Sequence, residues 1–416
     1  MAVGETAAAE KLYRTIIEVA PYHHQALDFL AMLAWQRDDP KQCIQLLQGA
    51  LRVAPERADF HQRLALAHQA CNEFPEALAE LERAIELAPV SREPYLHKGA
   101  ILEKLGKNET AVAAYWQAWR RFPFRRQPAA DGSAPLKPDS LAAHAAETIR
   151  DTQMQLIEHA LQPVRERHGF GALRRVQLAA ETYVGDHLPQ YMNRTQRPAF
   201  IYLPELAPHA FFERDGFPWV PQLEAATDVI RSELSSVLGS EDNLTPYVQA
   251  QKGVDPYQWR ELDGSKRWSA FHFFKGGVRN ERNCGLCPAT VEAIQRLPLP
   301  RADEHAPEAL FSILKPGTHI PPHHGLGNYK LVVHLPIIIP QDCSIRVGEE
   351  TRCWKQGECL IFDDSFEHEA WNRSQSLRVV LIVEVWNPLV SAAEREGLIA
   401  LVNAITSFNR KYHQAS

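Results

Sequence analysis

From Phe311 to Trp386, apolar residues come in short runs divided by Gly, Pro or polar turns. The runs Phe311–Lys315, Lys330–Pro340, Ser344–Val347, Thr351–Trp354, Cys359–Asp363, His368–Asn372 and Leu377–Trp386 each predict a strand. Leu331–Ile339 and Leu377–Trp386 are rich in β-branched residues and read as buried. Trp268–Lys275 predicts one more strand ahead of them. Short strands at regular spacing point to a jelly roll or related barrel. Upstream the period becomes helical. Pro221–Leu238 places Leu223, Ile230, Leu234 and Val237 on one face. Leu141–His168 carries Ile149, Met154, Ile157 and Leu161 near helical spacing, and Ala172–Val184 predicts a further helix. Residues 187–217 are aromatic and proline-rich and are expected to wrap onto the strand-rich part.

The first third of the chain repeats. Pro21, Pro55, Pro89 and Pro123 follow one another at intervals of 34. Ala77, Leu81 and Ala84 precede Pro89 as Ala111, Tyr115 and Ala118 precede Pro123. Tyr95, Gly99 and Leu102 fall at the packing positions of the helix before. Small residues let paired helices approach, and large ones fill the groove. Residues 7–123 therefore resemble the tetratricopeptide family, with about three full repeats and a partial one. Such an array offers a concave surface for a partner, the alternative being a solubilising or dimerising appendage. Pro128, Gly132, Pro135 and Pro138 mark residues 124–140 as a linker, with Asp139 or Ser140 capping the helix that follows.

Composition narrows the class only a little. A chain of 416 residues should hold two or three domains. A net charge of −6 argues against a nucleic-acid footprint. No apolar run is long enough to span a bilayer, and Met1–Thr6 does not read as a secretory signal. Seven scattered cysteines suggest reduced thiols and a cytoplasmic location. Cys284 and Cys287 form a lone CxxC, better read as the start of a packed helix than as a zinc or redox site.

The chemistry concentrates in three residues. His323 ends one strand-like run and His368 begins another. Arg378 shares a strand face with Val380 and Ile382. A buried arginine needs an anion, and a dicarboxylate would satisfy it with a bidentate pair. Two histidines with such an arginine suggest a non-haem Fe(II) oxygenase; the plain alternative is a pair of ordinary turn histidines. These oxygenases usually carry a carboxylate two residues after the first histidine, but that residue here is Gly325. Asp363, Asp364 or water would complete the site.

Residues 217–390 resemble the aspartyl/asparaginyl β-hydroxylase family of 2-oxoglutarate-dependent oxygenases. The matching pieces are Trp268–Ser269, Arg279–Glu281, Pro316–His323, Gly325, His334–Leu335, Ile345–Arg346, Trp354, Leu360–His368, Trp386 and Pro388. The resemblance implies a double-stranded β-helix, jelly-roll or cupin-like, behind an α-solenoid. It implies Fe(II) bound by His323 and His368 with water in place of a third protein ligand. It also implies 2-oxoglutarate with its distal carboxylate on Ser312 and Arg378, His334 near its metal-binding end, and O2 as oxidant. The implied activity is hydroxylation of the β-carbon of Asp or Asn in a peptide or protein, held in part by the repeat groove. The family's Arg-x-Arg-x-His strand reads Lys330, Val332 and His334 here, so one cation is kept as lysine and one is lost. No metal role falls to His319, and His324 reads as a rim residue.

The expected organisation is multidomain α + β. Residues 1–123 are the repeats, 124–216 a linker and helical connector, 217–390 the hydroxylase-like domain and 391–416 a C-terminal helix. Two other readings remain open on the residues alone: a non-catalytic repeat scaffold carrying a barrel-shaped binding module, and a different divalent-metal enzyme on the same barrel. Membrane and nucleic-acid partners are not expected.

Overall fold

The computed structural model describes residues 3–121, 140–239, 243–250 and 257–413. Two compact units form, one from Met1–Gln153 with Phe408–Ser416, the other from Met154–Ser407.

In the first unit the repeat is visible in the helix starts. Helices α1 (Val3–Val19), α2 (His24–Gln36), α3 (Pro40–Leu51), α4 (Ala58–Ala70), α5 (Phe74–Leu87), α6 (Glu93–Lys104) and α7 (Asn108–Arg121) follow in order. The second helices of the pairs, α3, α5 and α7, begin at 40, 74 and 108, one 34-residue period apart. Three helix pairs are preceded by α1, as the partial repeat predicts. The small–large–small positions Ala77, Leu81, Ala84 and Ala111, Tyr115, Ala118 are all fully buried. Gly99 shows why one of the neighbouring positions must be small. A Cβ there would stand 2.2 Å from Cε1 of Tyr115. The linker at 124–139, with Pro123 and the Asp139 cap, lies outside the described residues. Ser140 does cap α8 (Leu141–His168), its Oγ accepting from the Ala143 N–H at 3.2 Å.

The second unit is built on two antiparallel sheets. Its strands are β1 (Phe211–Phe212), β2 (Thr245–Pro246), β3 (Trp268–Lys275), β4 (Val278–Arg279), β5 (Ala309–Leu314), β6 (Thr318–His323), β7 (Lys330–Ile338), β8 (Cys343–Val347), β9 (Glu350–Cys353), β10 (Leu360–Phe362), β11 (His368–Asn372) and β12 (Arg378–Trp386). The large sheet runs β1-β10-β7-β12-β5-β3-β2, with β4 on β3. The small sheet runs β6-β11-β8-β9.

Alternation along β12 explains how both faces of the large sheet are buried. Val379, Leu381, Val383 and Val385 join the core formed with Leu223 of α10 (Val220–Ala225), with Ile230 and Leu234 of α11 (Thr227–Leu238), and with Phe271 and Phe311. Val380 instead faces the small sheet, in a cluster with Trp268, Val332, Phe362, Ile320, Ile345 and Ala370. Arg378, Ile382 and Glu384 share that inner side and line the cavity between the sheets.

The expected helix Pro221–Leu238 is broken into α10 and α11 at Ala226, whose N–H bonds back to Leu223 and Glu224 as a cap. Residues 196–212 wrap onto the sheets as expected. The Ala199 and Phe200 N–H groups donate to the Gly325 and Leu326 carbonyls, Asn328 Oδ1 accepts from the Leu203 N–H, and β1 pairs with β10. The remaining helices are α9 (Arg174–Val184), α12 (Glu281–Leu286), α13 (Pro288–Gln295) and α14 (Ala392–His413). Leu398, Leu401, Val402 and Ile405 of α14 pack with Ile157, Leu161 and Val176.

Candidate active site

Strands β6 and β11 pair antiparallel, with His323 directly opposite His368. Cross-strand neighbours are the closest side chains a sheet offers. The two ring centroids lie 4.0 Å apart. His323 Nδ1 bonds the Pro321 carbonyl at 2.8 Å, and His368 Nδ1 bonds the Phe366 carbonyl at 2.9 Å. A backbone carbonyl on Nδ1 fixes the tautomer and leaves Nε2 as the ligating nitrogen of each ring. Burial lowers the pKa of both, favouring the neutral imidazole a metal requires. Among the described residues, no three or more His, Cys, Asp or Glu side chains are grouped to hold a metal ion. What the strands supply is a pair of nitrogens.

The two aspartates have other surroundings. Asp363 accepts from Gln196 Nε2 at 2.8 Å and from the Ser365 N–H at 2.9 Å, so it is a turn residue. Asp364 presses against Gly325, where a Cβ would stand 2.0 Å from Oδ2. Its Oδ1 is buried without a hydrogen-bond partner. Burial pushes both carboxyls up to about 7.

Arg378 is 1% exposed and has no acidic partner among the described residues. Its Nη1 donates to Ser312 Oγ at 3.3 Å, its guanidinium lies 4.4 Å over the Trp354 ring, and its Nε is unpartnered. Burial pulls its pKa down to about 10, so it stays charged at neutral pH. Ser312 Oγ also accepts from Trp268 Nε1 at 3.1 Å, which leaves its own proton available to an anion. His334 is buried. Its Nδ1 accepts from Trp354 Nε1 at 3.2 Å, and burial, then Arg378, lowers its pKa well below the usual value.

These five residues, His323, His368, Ser312, His334 and Arg378, all line one cavity of about 450 Å³. Arg378 lies toward one end of its strand. Six residues along β12, on the same face, Glu384 lines the cavity too, ~20 Å away at ~3.3 Å per residue. There Lys330, 1% exposed, forms a buried ion pair with Glu384. Burial opposes the Lys330 charge, but Glu384, Tyr329 and Asp364 together outweigh it and raise its pKa. Lys330 is therefore committed to a neighbour rather than free for a bound acid, as its place in the motif had suggested.

Trp354, matched in the motif without a role, and Glu384 and Glu308, not named at all, also carry weight in this site. A glutamate inside the apolar run Leu377–Trp386 was the signal for Glu384. Of the remaining histidines, His319 bonds Glu369 at 2.8 Å and stacks on Trp371, away from the cavity, and His324 sits on its wall. Cys284 and Cys287 are buried free thiols. Burial raises the pKa of both, Cys287 to about 12, in keeping with packing.

The model of the family described as aspartyl/asparaginyl beta-hydroxylase matches residues 224–388. The aspartate beta-hydroxylase domain-containing protein 2 of Rattus norvegicus is 30% identical over 272 residues, which are 63% of this chain and 76% of that protein. The chain belongs to the aspartyl/asparaginyl β-hydroxylase family. Other relatives are matched over less of their length. The ornithine lipid ester-linked acyl 2-hydroxylase of Rhizobium tropici is 37% identical over 42% of this chain and 60% of its own. The human aspartyl/asparaginyl beta-hydroxylase is 35% identical over 44% of this chain and 24% of its own. The chain thus spans less than two thirds of those two relatives. Among solved structures, YrrB, titled a TPR protein with an unusual peptide-binding site, is 19% identical over 37% of this chain and 71% of its own, with a TM-score of 0.30. No helix among the described residues is long and apolar enough to cross a membrane.

Proposed function

We propose that this hydroxylase is a 2-oxoglutarate- and Fe(II)-dependent dioxygenase that inserts oxygen into a substrate C–H bond. The observation that carries the reading is Arg378, a buried guanidinium without an acidic partner among the described residues, on the wall of the cavity that holds the histidine pair. A charge so placed calls for an anion. A dicarboxylate fits both requirements of the cavity, with one end on Arg378 and the Ser312 hydroxyl and the other toward the histidines.

The residues present suit the groups assigned to them. His323 and His368 would hold Fe(II) through Nε2, with water rather than Asp363 or Asp364 at the third position. Fe(II) would supply O2 activation coupled to conversion of 2-oxoglutarate to succinate and CO2. The chain's own part is to orient and to exclude water. Trp354 sets both the Arg378 guanidinium and the His334 ring, and Phe362 packs edge-on against His334 at 4.9 Å. Family membership points to the β-carbon of an Asp or Asn residue in a peptide or protein, and the repeats of the first unit suit a peptide or protein partner. The seven unpaired cysteines fit the cytoplasm. A metal enzyme without a dicarboxylate cosubstrate would have no use for a bare Arg378.

The test is anaerobic loading with Fe(II), with zinc, copper and nickel excluded because nitrogen-rich sites bind them more tightly. Oxygen and 2-oxoglutarate are then added with candidate peptides and succinate is measured. Succinate should depend on Fe(II) and vanish in His323→Ala and His368→Ala. Undiminished succinate in either variant would sink the assignment.

A further inference from the structure

We propose that the substrate group seated beyond the histidines is a cation, so that this chain departs from the Asp or Asn target to which family membership points and takes a residue bearing an ammonium or guanidinium group in preference to an aspartate. The inference rests on the reading above, in which Arg378 marks the cosubstrate end of the cavity and the opposite end is left to the substrate.

That opposite end is acidic among the described residues. Glu308, Asp364 and Glu384 all line it, against the single cation Lys330. The oxygens can be followed one by one. Glu384 Oε1 takes Lys330 Nζ, and its Oε2 accepts from the Glu308 N–H at 2.9 Å. Lys330 and Glu384 therefore satisfy each other as a neutral pair. Glu308 Oε1 accepts from the Gly276 N–H at 2.5 Å, while its Oε2 lies 3.8 Å from His272 Nε2, too far for a normal hydrogen bond. Asp364 Oδ1 has no hydrogen-bond partner, and Lys330 acts on this carboxyl only through its field. Two carboxylates with unspent acceptor oxygens thus share the far wall with a pair already balanced. Lys275, the other cation whose field reaches Glu308, is exposed and screened by solvent. Val332, where the family motif would put a second cation, is buried and apolar.

The two ends of the cavity therefore call for opposite charges. Burial holds the Glu308 and Asp364 carboxyls at about 7, so each ionises most readily when a cation lies beside it, and a further carboxylate is opposed. Tyr247 lines the same cavity within the field of Glu308, Glu384 and Asp364 and adds an aromatic wall that accommodates a cation well.

The experiment uses the full-length protein with Mn(II) and 2-oxoglutarate, so that no turnover occurs. Four capped hexapeptides, identical except for Lys, Arg, Asn or Asp at the centre, are titrated calorimetrically. The 2-oxoglutarate isotherm is recorded first, on its own. Its absence would remove the cosubstrate reading, while the charge preference among peptides is a separate measurement on the same protein. The Lys or Arg peptide should bind at least about tenfold more tightly than the Asp peptide, the scale of one charge-assisted bond. Glu308→Gln and Asp364→Asn should each reduce that preference, leaving the Asn peptide unchanged. The first substitution keeps an acceptor for the Gly276 N–H, and the second keeps the shape of the side chain it replaces, so both variants should fold. Equal or tighter binding of the Asp peptide, no binding of either basic peptide, or a preference that survives in both variants would each overturn the proposal.

Discussion

Gly325 and Asp364 occupy one another's space: a Cβ added to the glycine would stand 2.0 Å from Oδ2 of the aspartate and 2.1 Å from its Cγ. The position two residues beyond His323 is therefore closed to any side chain while Asp364 stays where it is. Asp364 is tied down on its backbone side, because its carbonyl accepts from the Gly325 N–H at 2.6 Å.

Gly325→Ala should destabilise the sheet unit by about 1–3 kcal/mol, the usual scale of overpacking. Adding Asp364→Gly should recover most of that loss, since it removes the colliding carboxylate. Denaturant melts of the two single variants and the double variant form the cycle. Full additivity would mean that the two residues do not share the space.

The acidic end of the cavity predicts an unusual pH dependence. Burial first, then Glu384, pushes Glu308 up from 4.5 to about 7. The folded protein thus binds this proton more tightly than the unfolded chain does. Stability from this group is fully present below pH 4.5, declines as pH rises toward 7 and is flat above that. Glu308→Gln cannot ionise, so its denaturation midpoint should exceed the wild type's at about pH 8 and lose that advantage near pH 4.5. A gap that widens on acidification would contradict the placement of Glu308.

Much of this architecture was written locally. The 34-residue proline interval predicts three helix pairs because each repeat packs on its neighbours, so its signal is periodic. The strands of the two sheets were legible because buried β-branched runs alternate with turn residues. His323, His368 and Arg378 could be nominated because each interrupts or ends such a run. Their convergence on one cavity could not be read that way. It depends on β6 meeting β11 and β12 lying between β5 and β7, pairings of strands far apart in sequence. The fate of Lys330 was hidden for the same reason. Its partner Glu384 is 54 residues away, and only the register that sets Val332 against Glu384 brings them together. The break at Ala226 had no glycine or proline to announce it.

The first unit offers a test that leaves the cavity untouched. Gly99 faces the Tyr115 ring, and a Cβ would stand 2.2 Å from Cε1 and 2.5 Å from Cδ1. Tyr115 is fully buried and its hydroxyl donates to Glu103 at 2.8 Å, so the ring has little room to retreat. Gly99→Ala should lower the helical melting transition despite alanine's better helix propensity, which alone would stabilise by ~1 kcal/mol. A raised transition would mean the two helices can separate cheaply at this crossing.

Arg378 carries the last prediction. Its charge-assisted bonds to a dicarboxylate should each be worth ~1.5–3 kcal/mol, so losing one should weaken 2-oxoglutarate binding by about one to two orders of magnitude. Arg378→Met keeps an unbranched stem over Trp354 and removes the charge, which also relieves the burial that pulls the guanidinium down to about 10. The protein should therefore fold at least as well as wild type while 2-oxoglutarate affinity falls. Arg378→Lys should recover only part of that affinity, because an ammonium keeps the charge but cannot reproduce the fork. Metal binding should barely change, since His323 and His368 sit on the other sheet. Calorimetry with Mn(II) measures the cosubstrate without turnover, and electron paramagnetic resonance of the Mn(II) follows the metal independently. Equal 2-oxoglutarate affinity in wild type and Arg378→Met would leave the buried guanidinium without the anion it calls for, and would favour a metal enzyme that uses no dicarboxylate.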